Sequence, residues 1–314
     1  MHNTLIELND FDLLTVSGSD RIPFLQGQVS CDMQALTPTR SLVGAYCNLQ
    51  GRVIADFRVF AHDDCCRLVF SPGMGSVVKK LLDKYIVFSK AEMTLDAGRF
   101  ERLGLVGDEA GPLVKSLYNE VPGAEGDVLN SDGDLIIRLP GAVPRFELWI
   151  DSNANRSGQI EALRHDTLAG NSDDWLRQDI AAGIVHVDMQ RSEQFTPQLL
   201  NYDIAGVINF KKGCYTGQEI VARMFYRGKA KKRLFRSRVE TTTLSKEVTV
   251  VDARDRETGE GILEFCAVAD GVFELLVILP TEAANDARSN KSALALSTDP
   301  RSHLEILPLP YRES

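Results

Sequence analysis

At 314 residues the chain can bury a large core and divides into two or three domains by length alone. Apolar residues make up 44% and charged residues 25%, an ordinary balance for a soluble globular protein. A formal net charge of −9 argues against general nucleic-acid binding. No apolar run approaches the ~20 residues that a membrane helix needs, so no membrane contact is expected. The N-terminal MHNTLIELNDFDLL is acidic rather than basic and offers no leader-peptide pattern. Six irregularly spaced cysteines do not make a disulfide framework, and a reducing cytoplasm is the expected compartment.

In chain order, Leu5 to Val16 reads as a strand ending at Ser17-Gly18. A helix capped by Ser19 or Asp20 follows, with Pro23 in its first turn, and runs through Val29. Leu42 to Leu49 and Arg52 to Phe60 form a hairpin across Gln50-Gly51. On its second strand Val53, Ala55, Phe57 and Val59 share one face, and Arg52, Asp56 and Arg58 the other. Cys65 to Phe70 is a third strand, and Ser76 to Tyr85 an amphipathic helix. Strands follow at Glu92 to Leu95 and Arg102 to Val106, then a short helix at Gly111 to Tyr118. Leu135 to Leu139 and Phe146 to Ile150 pair as a hairpin. Gln159 to Leu168 and Asp173 to Ala182 are helices, the second closed by Gly183 as a C-cap. Asp188 to Gln194 is polar, either a loop over a pocket or an ordinary exposed loop. From Leu234 onward only short strands are expected, the pattern of a small closed or nearly closed β-barrel. Mixed units followed by an all-β tail imply an α+β chain with separate domains.

Chemistry concentrates in Asn209 to Arg236, NFKKGCYTGQEIVARMFYRGKAKKRLFR. Lys211 and Lys212 lead into Gly213 and Cys214. Thr216 and Glu219 have capping-box spacing and predict a helix start. Cys214 then lies just outside a helix N-terminus beside two ammonium groups, and both influences favour thiolate over thiol. On spacing alone a buried, inert cysteine stays open as the alternative. Glu219 need only cap, and the lysines need only be solvated. Adjacent Cys65 and Cys66 point to opposite faces of a strand and chelate poorly. Cys31, Cys47 and Cys266 lack CxxC spacing, and the five histidines do not cluster. No structural zinc or permanent iron–sulfur cluster is expected. Trp149 and Trp175 read as core.

The string Lys212-Gly213-Cys214-Tyr215-Thr216-Gly217-Gln218-Glu219, followed by Arg223, resembles the signature of the YgfZ family of folate-binding proteins. That family is related to the aminomethyltransferase (T-protein) of the glycine cleavage system. The resemblance extends to Phe24 to Gln28 with Cys31-Asp32, to Asn48 to Asp56, and to Phe195 to Asp203. It implies two interwoven ferredoxin-like α+β domains plus a C-terminal small β-barrel, in a three-lobed ring around a folate site. The folate-binding region is then expected over 1–230 and the barrel over 231–314. The implied ligand is tetrahydrofolate or a one-carbon derivative. Cys214 is implied as the working thiol, its anion held by Lys212 and the helix start. Asp56, Lys212, Tyr215, Gln218, Arg223 and Arg227 are the implied cofactor-binding positions. Tyr215 would stack on a ring or merely pack, and Arg223 and Arg227 would orient the motif or meet an anionic group. The implied role is the assembly or repair of iron–sulfur enzymes, including one that modifies tRNA, with iron–sulfur proteins or assembly factors as partners.

Two positions depart from the aminomethyltransferase pattern. Ala55 replaces the first acid of a hairpin pair, leaving Asp56. Ala181 stands where a pterin-anchoring acid is expected, with Asp179 two positions away. The alternative reading, a folate-dependent one-carbon transferase using Asp56, is weakened by Ala55. Folate binding is either weakened by Ala181 or moved to Asp179. A third reading takes the basic run Arg227, Lys229, Lys231, Lys232, Arg233 and Arg236 as a weak RNA contact. A solvated basic turn competes with it.

Overall fold

The computed structural model describes residues 3–96, 98–153, 157–228 and 230–311, the side chains of Ser157, Arg227 and Pro300 excepted. Lys229 and the Arg227 side chain, both singled out above, lie outside the described residues. Two compact units emerge. The first is Met1–Ser172 with His186–Gln194 and Val207–Gln218; the second is Asp173–Val185, Phe195–Gly206 and Glu219–Ser314. The chain therefore crosses between the two units several times before residue 230.

The first unit opens on two short strands rather than one. β1 (Thr4–Glu7) buries Leu5 and Ile6, and β2 (Asp12–Ser17) buries Leu13, Leu14 and Val16. Exposed Asn9 and Asp10 break the expected single strand, and its halves join different sheets. α1 (Arg21–Gln26) carries Pro23 in its first turn but stops short of Val29. β3 (Leu42–Cys47), β4 (Val53–His62), β5 (Cys65–Phe70), α2 (Met74–Ile86) and β6 (Glu92–Asp96) follow. They complete an antiparallel sheet of order β3-β4-β5-β2-β6. α2 buries Met74, Val78 and Leu82 at helical spacing against this sheet's core.

The chain then returns to the sheet that β1 began. β7 (Phe100–Val106), α3 (Ala110–Tyr118), β8 (Val128–Ser131), β9 (Asp134–Arg138), β10 (Arg145–Asp151), α4 (Ser157–Asp166) and β11 (Leu168–Ala169) follow in turn. The sheet order is β11-β1-β7-β10-β9-β8, and only β1–β11 pairs in parallel. The expected 135–139 and 146–150 hairpin is present, with Leu148 opposite Ile136. Trp149 is fully buried, as its reading as core requires. Its ring lies 5.0 Å from that of Phe11 and 5.2 Å from that of Phe60 on β4, so an aromatic cluster joins the two sheets of this unit. Arg102 stacks over the same indole at 5.2 Å and pairs with buried Glu147 at 2.6 Å.

In the second unit α5 (Ser172–Ala182) ends at Gly183, whose φ of +68° is the left-handed C-cap expected there. α6 (Gln218–Arg227) leads to β12 (Lys232–Glu240), β13 (Val250–Asp252), β14 (Glu257–Thr258), β15 (Gly261–Ala269) and β16 (Val272–Pro280). α7 (Thr281–Arg288), β17 (Leu294–Leu296), β18 (Asp299–His303) and β19 (Glu305–Leu307) complete it. The expected small barrel is replaced by two four-stranded sheets, β15-β16-β12-β19 and β14-β13-β17-β18. No ladder joins them among the described residues. Strands of two or three residues such as β13, β14 and β17 are too short for the stagger that closes a barrel. The sheets instead share one apolar core with Phe235, Val250, Leu275, Val277 and Leu296. α7, which the all-β expectation missed, adds Ala284 to that core.

Burial alone would raise the Glu147 carboxyl, but Arg102, Arg58 and the Trp149 N–H outweigh it and hold its pKa at about 2. A carboxyl depressed in the fold adds stability that is complete above its unfolded pKa of ~4.5 and lost below it. Comparing Glu147→Gln with the unchanged chain by urea unfolding should show a stability gap that closes steadily as the pH falls from about 4.5 toward 2.

Candidate functional site

The motif segment is built onto the turn that follows α1. Ser30 Oγ donates to the Val207 carbonyl at 2.7 Å, and the Asn209 N–H donates back to the Ser30 carbonyl at 3.0 Å. Asn209 Oδ1 then accepts the N–H groups of Lys211 (2.8 Å) and Lys212 (3.1 Å), turning the chain. The turn drives the Lys212 side chain inward. Its ammonium donates to the carbonyls of Gln26 at 2.8 Å, Cys31 at 2.9 Å and Val29. The ring of Tyr215 faces the same nitrogen with its centroid 5.0 Å away. Burial pushes the Lys212 pKa down to about 8. Three carbonyls and a π face favour the charged form and keep it charged at neutral pH.

This corrects the expectation that Lys212 holds the Cys214 thiolate. All three ammonium donors are already committed to backbone oxygens, because an amine this deep must satisfy every one of them. Tyr215 packs rather than presenting its face outward. It is buried, burial raises its hydroxyl above the usual phenol range, and Oη has no hydrogen-bond partner. The capping box does not form either. Thr216 Oγ1 donates to Gln28 Oε1 at 3.3 Å, and α6 begins only at Gln218. Gly217 explains the delay. Its φ is +81°, and a Cβ there would lie 2.3 Å from the Asn48 carbonyl, so only glycine allows this crossing over the hairpin.

Between the Lys212 anchor and the Gly217 crossing, Gly213 and Cys214 stand exposed. Cys65 is half-buried, and the other four cysteines are buried. Burial pushes Cys31 and Cys47 up to about 12, and Cys66 and Cys266 up to about 11. Gln218 is partly exposed at the start of α6, and Arg223, in the second unit, is exposed.

Asp56 sits on the polar side of β4, as its alternation requires, but it is not a free acid. Oδ2 lies 2.7 Å from His186 Nδ1, and Oδ1 accepts the Val187 N–H at 2.6 Å. The same segment is stitched along β4 by the Glu193 N–H to the Val53 carbonyl at 2.8 Å and by Arg52 to the Gln194 carbonyl. His186 went unnoticed in sequence, where histidines were weighed only for metal spacing. Its partner lies 130 residues away, so no local pattern marks it. Ala55 is fully buried, and Asp179, the suggested replacement acid, is buried too.

Of the described members of the basic run after α6, Lys232, Arg233 and Arg236 are paired with carboxylates. Arg233 is buried and grips Asp203 with both Nη atoms at 2.9 Å. Lys232 pairs with Glu260 at 2.7 Å, and Arg236 with Glu274. Of the residues expected to meet RNA, Arg233 turns toward the core and meets a counter-charge there, while Lys232 keeps to the surface in its pair with Glu260. Lys231 stays exposed.

Two cavities in the first unit lie elsewhere. One of about 390 Å³ is lined by Phe11, Asp12, Asp96 and Arg99; another of about 550 Å³ is lined by Pro112, Lys115, Arg138 and Phe146. Neither is lined by Cys214 or Asp56. Among the described residues no three His, Cys, Asp or Glu side chains come together as a metal site, and no helix is long and apolar enough to cross a membrane.

The fold is that of an aminomethyltransferase T-protein. The structure matches the glycine cleavage system aminomethyltransferase T from Bartonella henselae with a TM-score of 0.76, over 98% of this chain and 86% of that one, at 15% identity. In sequence it is similar to the tRNA-modifying protein YgfZ of Sodalis glossinidius (strain morsitans), 32% identical over 98% of this chain and 93% of that protein. Those of Klebsiella pneumoniae (strain 342) and Escherichia coli O127:H6 are 33% and 30% identical, each over 98% of this chain and 93% of the relative. No family profile matches the chain. On this identity and coverage, the chain belongs to the YgfZ family.

Lys212→Met should cost about 2–4 kcal/mol in denaturant unfolding, because three carbonyls lose their donor at once. Under native conditions iodoacetamide should label Cys214 well before any other cysteine, as peptide mass mapping over time would record.

Proposed function

We propose that this protein binds a reduced folate and supports the assembly or repair of iron–sulfur enzymes, tRNA-modifying ones among them, through the thiol of Cys214. The observation that carries this reading is the exposed Cys214 held at the apex of an anchored KGCYTGQE segment. The name tRNA-modifying protein, borne by relatives about a third identical over nearly the full chain, supports the tRNA connection. A thiol outside the core is open to a partner protein or a cluster, and its chemistry needs the thiolate.

The residues fit a folate only in part. Lys212 and both Asp56 oxygens are already bonded within the protein. Gln218 is a group left in the first unit to meet a pterin edge through its amide, whereas the Tyr215 hydroxyl is buried out of reach. Arg223, in the second unit, is an exposed cation. We assign no chemical step to the folate.

The T-protein fold keeps aminomethyl transfer as the rival. It has less support, because Ala55 supplies no acid and Asp56 is tied to His186 and Val187. Titrating the purified protein with tetrahydrofolate should give saturable binding, weakened by Gln218→Ala. Cys214→Ser should keep that binding yet fail to restore iron–sulfur enzyme activity in cells lacking the protein. Full restoration by Cys214→Ser would remove the thiol from the function, and one-carbon release from an amine donor would favour the rival.

A further inference from the structure

α2 ends in an apolar tip that the fold leaves uncovered. Phe88 is 92% exposed, Val87 69% and Tyr85 45%. Among the described residues, one other run of neighbouring exposed large apolar groups occurs, Met224, Phe225 and Tyr226 on α6, and none of these reaches the exposure of Phe88. The tip is bordered by Lys80, Lys84 and Lys90, all exposed. Lys80, Lys84, Val87 and Phe88 follow i, i+4, i+7, i+8 spacing along α2 and the turn just after it, so they line one side. None of the three lysines has a side-chain ion pair among the described residues. Two acids nearby are otherwise engaged. Asp83 pairs with Lys79 at 3.1 Å. Asp20 Oδ2 accepts the Lys90 N–H at 2.8 Å, and that bond, with a smaller pull from the Lys90 charge, holds its carboxyl below the usual carboxylate range. Among the described residues, Lys80 and Lys84 are thus the lysines of this tip without a nearby counter-charge. Glu92 is the remaining exposed acid of this stretch.

The tip is also held in place. The Ser89 N–H closes onto the Ile86 carbonyl at 2.8 Å. The Lys90 carbonyl accepts the Asp20 N–H at 3.2 Å, and a Cβ on Gly18 would come within 2.3 Å of that oxygen. Anchored on both sides of its backbone, the tip presents its side chains with little ordering left to do on binding.

From this juxtaposition we infer that Tyr85, Val87 and Phe88, bordered by Lys80, Lys84 and Lys90, form a docking knob for a partner protein with an apolar socket rimmed by carboxylates. Charge complementarity selects that occupant. Lys80 and Lys84 call for anions around an apolar contact, and aromatic anchors in a pocket are the usual centre of a protein interface. An anionic bilayer is disfavoured because the chain carries a net −9 and must approach it against long-range repulsion. RNA could stack on Tyr85 and Phe88, but the net −9 of the chain opposes a polyanion as it does a bilayer, and the test below decides between RNA and protein. The knob lies in the first unit and does not depend on the Cys214 reading.

The test places photoreactive benzoyl-phenylalanine at position 88 of the full chain in cells, with exposed Glu120 as the control position. A discrete adduct at 88 and not at 120 is expected, with its cross-linked peptide carrying Asp or Glu beside apolar residues. Lys80→Glu with Lys84→Glu should reduce it at least tenfold, and lysine at those acids of the partner should restore it. Cys214→Ser should leave it unchanged, so failure of the thiol's role and failure of the knob are told apart. The Phe88→Ser protein, its thermal midpoint unshifted, is assayed against vesicles of phosphatidylglycerol and phosphatidylethanolamine and against a single-stranded RNA 20-mer. No adduct, an adduct indifferent to charge reversal, or Phe88-dependent binding to the vesicles or the RNA would overturn the inference.

Discussion

A buried lysine ammonium must find its partners inside the protein, and Lys212 finds them in the carbonyls of Gln26, Val29 and Cys31. Taking that charge out of water costs several kcal/mol, recovered only where the geometry is complete. The requirement fixes the segment from Val207 to Gly217 in one arrangement against the turn after α1. Tyr215 roofs the ammonium, Asn209 folds the chain into it, and Gly217 lets the backbone pass the Asn48 carbonyl. What remains outside is Lys211, Gly213 and Cys214. The exposure of the sulfur is thus a consequence of where the neighbouring charge went.

The same logic recurs wherever a charged residue looked available. Asp56 holds the 186–194 segment along β4, Arg233 and Asp203 close on each other, and Glu147 answers Arg102 beneath the indole of Trp149. Each side chain has the chemistry of a ligand-binding group and the surroundings of a structural one. Buried ion pairs of this kind are costly to break singly even where their net contribution is small. Among the described residues, Cys214 carries the exposed thiol.

The resemblance in fold to an aminomethyltransferase reaches across 98% of the chain, yet the hairpin acid is Ala55 and its neighbour Asp56 is strapped to His186. A fold can stay while the groups that gave it one chemistry are replaced or reassigned.

Sequence alone determined much of what is local. Alternation placed Asp56 and Arg58 together on the polar side of β4, apolar spacing marked α2, Gly183 marked the end of α5, and a contiguous string singled out Cys214 and its family. These signals survive because backbone dihedrals and side-chain period are set by near neighbours. Only the tertiary structure decided that Lys212 turns away from Cys214, that Asp56 meets His186 across 130 residues, that Leu5 and Leu14 belong to different sheets, and that the last strands form two sheets sharing a core. In each case the partner is chosen by burial and by the need to satisfy a charge or a hydrogen bond at a distance, and linear order carries no trace of that choice.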